Sequence, residues 1–398
     1  MVQSESLIQS IVWLIFWIFI IINILFPGFQ LKVQVMRTLS EIEQTHSSIR
    51  RLKIEAENKI RKIVSKKIKI KKETLENFFK NIMEHHIILP ASLDPAGIVE
   101  KIEHILNVEE KELERLGLMF YKDKNEMYNF LTSVLALVEI NKIDKIITHY
   151  LELIKKSKNI YLAYLLSTQL HMSTYFFNKI SKSLYAASTA FIENLPVGDS
   201  VGPLIALHLI KKSKAKLVKE FKEENCVLLK GKINGREVYL IKASGFGSKV
   251  GRIGRAIERT IKERKIKNLI TIDAAVKLES EESGTIAEGV GVAIGGIGID
   301  SAFIENIATK NKVNLFSTLV KMSMEEALSP LNKKICDSAK IVVEKIENRI
   351  KDLKGNILIA GIGNTCGIGN TINDFEKSEE KVKKAFQEYE KLRKSIFS

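Results

Sequence analysis

The chain has 398 residues, 45% of them hydrophobic, with six prolines, which excludes extensive disorder and leaves room for two or three cores. Lys and Arg number 62 against 47 acids, a formal charge of +15 that suits anionic partners such as lipid head groups, nucleotides or nucleic acid. The three cysteines, Cys226, Cys336 and Cys366, form no C-x-x-C pair, so neither a zinc site nor a disulfide framework is indicated and free thiols in a reducing compartment are expected.

No residue from Leu7 to Phe26 is charged, and about 20 apolar residues at 1.5 Å each match a ~30 Å hydrocarbon core. A cleaved signal peptide would want a basic start, a shorter apolar run and small residues at the cut, whereas here only Glu5 precedes the run and Phe-Pro-Gly ends it. The segment is therefore expected to be an uncleaved single-pass anchor to the cell membrane, residues 1–27. Lys32, Arg37, Arg50 and Arg51 follow the run and no base precedes it, which puts the N-terminus outside and the following domains in the cytoplasm. A second uncharged stretch, 159–178, is interrupted throughout by Ser, Thr, Gln, His and Asn, and reads as a buried helix of a bundle rather than a second span.

Residues 28–74 read as a basic helical stalk. Val35, Leu39, Ile42, His46, Ile49, Leu52, Ala56, Ile60 and Ile63 recur at three- and four-residue steps, the mark of one helix with a coiled-coil-like seam through which two copies could pair as a homodimer. Between Arg50 and Lys72 stand eleven bases and two acids. Residues 50–72 could lie on anionic lipid, or could be a solvated helix face.

An all-α domain is expected over 75–212, with helices near 108–120, 124–140, 143–156 and 160–193. Asp94 and Pro95 give a start signal for a helix carrying Ile98, Ile102 and Ile105 on one side. Asp199 reads as an N-cap for a helix restarting after "LPVGDSVGP". The seven histidines, His85 and His86 among them, make no metal-binding spacing.

Fifteen of the 22 glycines fall between Gly245 and Gly369, which marks a change to a glycine-rich α/β domain with a mixed sheet over 213–374. Asn234-Gly235 between alternating apolar runs is a hairpin signal. A helix near 252–265, strands near 268–273 and 355–360, a strand or apolar turn near 313–320, a helix near 323–352 and a C-terminal helix over 375–398 complete the expectation.

Gly245, Gly247 and Gly251 form G-x-G-x-x-x-G between a strand and a helix, one residue longer than the dinucleotide fingerprint. Backbone N–H groups there, with Lys249, Arg252 and Arg255, could hold a phosphate, and Asp273 stands where a ribose-binding carboxylate would. The plainer reading is a glycine-eased turn before a basic helix. A second loop, with Gly361, Gly363 and Asn364, also follows an apolar strand and could face the same cleft. Asp273 and Glu279 are weak candidates for Mg²⁺ beside a bound nucleotide, though their spacing matches no metal motif. The ten-residue run Val290–Ile299 is too short to cross a bilayer and reads as close packing.

The phrases "PVGDSVGPLIA", "ASGFGSKVGRIGRAIE", "DAAVKLESEESGTIAEGVGVAIGGIGID" and "AGIGNTCGIGN" together resemble an archaeal family of single-span membrane proteins with no assigned function. The resemblance covers nearly the whole chain and implies an archaeal source and a cytoplasm-facing domain. It transfers no catalytic residue.

Three functions follow from the letters. One is a tethered domain binding a nucleotide or other phosphorylated ligand at the glycine loops, with metal-assisted phosphoryl transfer or hydrolysis as its chemistry. Another is a non-catalytic membrane scaffold that recruits protein partners through its helical domain. The third is sequence-independent nucleic-acid attachment through the basic stalk, where few aromatics interleave the lysines. No catalytic set is fixed by the sequence.

Overall fold

The computed structural model describes residues 11–21, 28–84, 97–292 and 299–395. The chain forms two compact units. The first takes the described residues up to Ile54 with Glu139–Ser181, and the second takes Glu55–Val138 with Lys182–Ser398. Helices α1 (Gly28–Lys67), α4 (Lys124–Lys156) and α5 (Ile160–Ile192) each give residues to both.

In the first unit α1 buries Ile42 and Ile49, α4 buries Ile147 and Ile154, and α5 buries Ala163 and Leu170. At its centre stands Asp144, whose carboxylate accepts from His46 Nε2 at 2.6 Å, from Arg50 Nε at 2.9 Å and from Lys53 Nζ. Burial alone would raise this carboxyl, but the hydrogen bonds from His46, Lys53 and Arg50 outweigh it and hold the group far below the usual range.

The single-pass anchor is not supported by the structure: among the described residues no helix is long and apolar enough to cross a membrane. Of the expected span 7–26, residues 11–21 are described and helical, and residues 7–10 and 22–26 lie outside the described residues. The membrane localisation, with the orientation drawn from its basic flanks, falls with it. The helix expected over 28–74 forms as α1 and contributes to both units. Much of its seam is buried inside the units, with Ile42, Ile49, Ala56 and Ile60 covered and Ile63 half-buried. Its bases find acids: Lys59 reaches Glu193 at 2.7 Å, Arg61 reaches Glu57 at 2.6 Å and Lys67 reaches Glu126 at 3.3 Å.

The second unit opens with helices. The C-terminal part of α1 packs Ala56, Ile60 and Val64 with Phe78 and Phe79 of α2 (Lys72–Ile82) and with Phe130 and Leu137 of α4. Helix α3 (Ile98–Gly117) adds Leu113. Asp94 and Pro95, expected to start it, lie outside the described residues, as do His85 and His86. The expected break near 141 is absent: no Gly or Pro interrupts α4, and its residues run through as one helix.

Helix α6 (Val201–Lys212) then leads into strands β1 (Lys216–Phe221), β2 (Cys226–Ile233), β3 (Arg236–Ala243), β4 (Ile266–Val276), β5 (Ile286–Val290), β6 (Asn314–Met322) and β7 (Asn356–Gly361). They form one mixed sheet in the order β1-β2-β3-β7-β4-β6-β5. The β2–β3 hairpin turns on Asn234 and Gly235, both at positive φ, as a tight two-residue turn requires. Strands β3, β7, β4 and β6 are parallel neighbours, so their carboxyl ends share one edge.

Side chains alternate across the strands. Val238 and Leu240 pack with α6, α10 (Lys333–Asp352) and α11 (Phe375–Ser395), while Tyr239 and Ile241 pack with α7 (Ile253–Arg264) and α8 (Ile299–Asn311). Helices thus cover both faces, which is why the central strands read as continuous apolar runs. A short helix α9 (Met324–Leu328) precedes α10, and Ser329-Pro330 separates the two.

Candidate functional site

The carboxyl edge of the sheet gathers both glycine loops. Register pairs Lys242 of β3 with Gly361 of β7, and Gly361 with Ile272 of β4, so Asp273 follows directly beside them. The loops are bonded to each other. Thr365 donates its N–H to Lys249 O at 2.9 Å and its hydroxyl to Gly247 O at 2.6 Å, and Gly367 N–H reaches Phe246 O at 3.1 Å. Asn370 Oδ1 accepts from Gly245 N at 2.7 Å and from Lys242 Nζ at 3.2 Å.

The amides a phosphate would need are directed to protein acceptors. Ser248 N–H goes to Asn129 Oδ1 at 2.7 Å, Arg252 N–H to Glu224 O at 2.8 Å and Gly254 N–H to Asp300 Oδ1 at 2.7 Å. The last places a carboxylate on the first turn of α7, where backbone partial charge favours an anion. The cations beside the loop are engaged as well. Arg252 pairs with Glu110 at 2.6 Å, and Arg255 makes a two-pronged contact with Glu103 at 2.8 and 3.1 Å while lying over Phe303. Lys249 lies over the Tyr128 ring, and burial, with Lys124 nearby, lowers its ammonium from the ordinary lysine range.

The second loop closes on α6. A side chain at Gly202 would strike the carbonyls of Ile362 and Ile272, and one at Gly361 would strike Ala206 and Gly202. Gly363, at φ +129°, faces the carbonyl of Asp199. Asp199 is no helix cap: its Oδ2 accepts from Asn364 N–H at 2.8 Å, across 165 residues of sequence. Burial raises this carboxyl, and the Asn364 N–H partly offsets that. Gly251 needs its positive φ of 68° and packs on Asn225 and Glu224.

The acids considered for Mg²⁺ disperse. Asp273 is buried at the end of β4 and accepts from the Ala274 N–H, whereas Glu279 is exposed in the turn beyond the strand. Glu281 pairs with Lys321, and Glu288 with Lys345 at 2.8 Å. Among the described residues no three His, Cys, Asp or Glu side chains gather in a metal-binding cluster. All three cysteines are free, and burial pushes Cys336 up to about 11 and Cys366 up to about 12, so neither is a ready thiolate.

Lys242 escaped the sequence reading. It is wholly buried, donates to Ala243 O at 2.7 Å, and burial brings its ammonium down to about 7. A lysine among the apolar residues of "REVYLIKA" was the one available signal.

Residues 197–369 match the domain described as domain of unknown function (DUF1512) C-terminal, and residues 14–194 match the protein of unknown function (DUF1512) N-terminal domain. The chain belongs to the DUF1512 family. No curated protein matches it. Among solved structures, a proteasome-assembly chaperone homologue of Mycobacterium tuberculosis is 11% identical over 51% of this chain and 91% of its own, with a TM-score of 0.32. A protein of unknown function from Corynebacterium glutamicum is 13% identical over 54% and 86%, with a TM-score of 0.22. Neither likeness is close enough to carry a functional argument.

Proposed function

We propose that the protein is a self-associating scaffold whose first unit pairs with a second copy of the chain through an apolar stripe on α5. One observation carries this reading: most of the large apolar side chains in the first part of α5 face outward. Ala163, Ser167, Leu170 and Thr174 face inward and are buried, while Tyr161, Leu162, Leu165, Met172, Tyr175 and Phe176 are 47–69% exposed. The small inward residues let α5 approach its neighbours closely, and the large apolar ones are left for something else to cover.

A second copy fits that stripe. Residues 161, 165, 168, 172 and 175 follow the three- and four-residue steps of a helix–helix seam. No Asp, Glu, Lys or Arg stands between 159 and 178, and the nearest cation, Lys179, lies over the Tyr175 ring at the end of the stripe. The six exposed side chains offer on the order of 600 Å², near the ~800 Å² per partner of a stable interface. Patches of this size mark interaction surfaces. Ile42 and Ile49 of the α1 seam are buried in the chain's own cores, whereas the α5 stripe is exposed.

The test is sedimentation equilibrium of the full chain beside Leu165→Glu/Met172→Glu, two exposed positions whose change leaves the cores intact. The expected result is a dimer for the native chain and a monomer of equal helicity for the variant. A native chain that stays monomeric at its highest soluble concentration, or a variant that still dimerises, overturns the reading.

A further inference from the structure

A cleft of about 510 Å³ in the second unit, away from the glycine loops' own amides, lies between the end of α1, the turn after α5 and the helix α11. Lys67, Lys381, Lys384 and Lys391 line it, with Glu193 and Glu388 as its acids. Both acids are already served: Lys59 reaches Glu193 at 2.7 Å and Glu388 at 3.7 Å, and Lys391 reaches Glu388 at 3.3 Å. Lys381 and Lys384 have no carboxylate at ion-pair distance among the described residues. Their spacing, with Lys377 four residues before, puts three ammonium groups on one side of α11.

An uncompensated cluster of this kind destabilises the fold through like-charge repulsion unless an anion sits in it. Burial lowers the Lys381 ammonium from its usual range, Cys366 nearby works the other way, and Lys384, Lys377 and Lys67 lower it further. The cluster also reaches the sheet edge, since Lys377 lies over the ring of Phe246 in the first glycine loop.

We propose that this cleft binds a soluble phosphorylated small molecule carrying two or more negative charges, held by Lys381 and Lys384 with Lys67 and Lys391 at its rim. The volume suits one nucleotide-sized molecule. Lysines fit the task because each presents a rotatable point charge to phosphate oxygens.

The full chain is melted with inorganic pyrophosphate, with ATP, and with sodium chloride at matched ionic strength. The same series is run on Lys381→Gln/Lys384→Gln and on Lys383→Gln, a change at an exposed position off the cleft. Pyrophosphate or ATP should raise the melting temperature of the native chain and of Lys383→Gln by a few degrees and leave the double variant unmoved. Without phosphate the double variant should melt no lower than the native chain. Absence of any response beyond the salt control, or an equal response in the double variant, overturns the proposal. So does a chain that ignores pyrophosphate and ATP but floats with phosphatidylglycerol vesicles through Lys381 and Lys384, since the phosphate source would then be a lipid head group.

Discussion

Asp300 sets a carboxylate oxygen 2.7 Å from the amide nitrogen of Gly254, so the first turn of α7 already holds an anion of the chain's own. The bond joins the starts of α7 and α8. Asp300→Ala should cost about 1 kcal/mol, the usual loss for a helix N-terminal acceptor. It should also open the turn to a small anion. In the Lys381→Gln/Lys384→Gln background, where the α11 cleft is silenced, inorganic phosphate should then stabilise Asp300→Ala and not its parent. Equal phosphate response in the two would mean that the vacated amides are covered by something else.

Gly363 tests whether the second loop's glycines serve packing. Its φ of +129° is strained for any other residue, and a Cβ there would run into the backbone of Asp199. Backbone cannot swing aside as a side chain can. Gly363→Ala should cost about 3 kcal/mol or more, whereas Gly289→Ala, whose new methyl meets nothing within 4 Å, should stay within about 0.5 kcal/mol. Denaturant unfolding of both variants decides it; equal small losses would show that the loop yields and that its closeness to α6 is unimportant.

Local chemistry explains what the sequence disclosed. Asn234-Gly235 marks its hairpin because the turn needs two positive φ angles, and the apolar runs of β4 and β7 are legible because helices cover both faces. The edge strands β1 and β5 were not. "KLVKEF" carries three charges and "IAEGV" a glycine, and each becomes a strand through pairing with its neighbour. Helix α8 carries only a weak apolar stripe and directly follows a glycine-rich run, so its letters do not mark it as a helix. The loops' position at the ends of parallel strands could be expected from their sequence neighbours, but their bonding could not. Asn129 lies 119 residues from Ser248, and Asp199 lies 165 from Asn364. Nor could periodicity show that most large side chains of α5 face outward, since its inward side mixes Leu170 with Ala163, Ser167 and Thr174.

Lys242 gives the fold a pH dependence whose sign can be worked out. Its ammonium titrates near 7 in the folded chain because burial disfavours the charge, against ~10.4 when unfolded. Between those values the unfolded chain binds the extra proton, so this group's contribution to stability rises with pH from about 7 to about 10 and is flat below. Lys242→Met removes the group while keeping an unbranched stem. The native chain should gain stability across pH 7–10 with a slope up to one proton steeper than the variant, read from urea midpoints. Parallel profiles would mean that Lys242 stays charged in its buried place.

Asp144 should be the residue on which the first unit is least able to compromise. His46, Arg50 and Lys53 all come from α1 and all meet its one carboxylate from α4. Asp144→Asn keeps the shape and removes the charge; Arg50 is half exposed and can turn to water, so the loss should be about 1–3 kcal/mol, that of leaving buried hydrogen-bonding groups poorly served. The pH dependence follows from the depressed folded pKa. The carboxylate's contribution is complete above its unfolded value of ~3.9 and is lost as pH falls below that toward the folded value. Helix content followed by circular dichroism in urea should therefore show a wide gap between native and Asp144→Asn chains at pH 7 that narrows at pH 3. A gap that is small at pH 7 would mean that the three bases reach solvent unaided; one that persists undiminished at pH 3 would mean that Asn fails through its hydrogen-bond geometry rather than its missing charge.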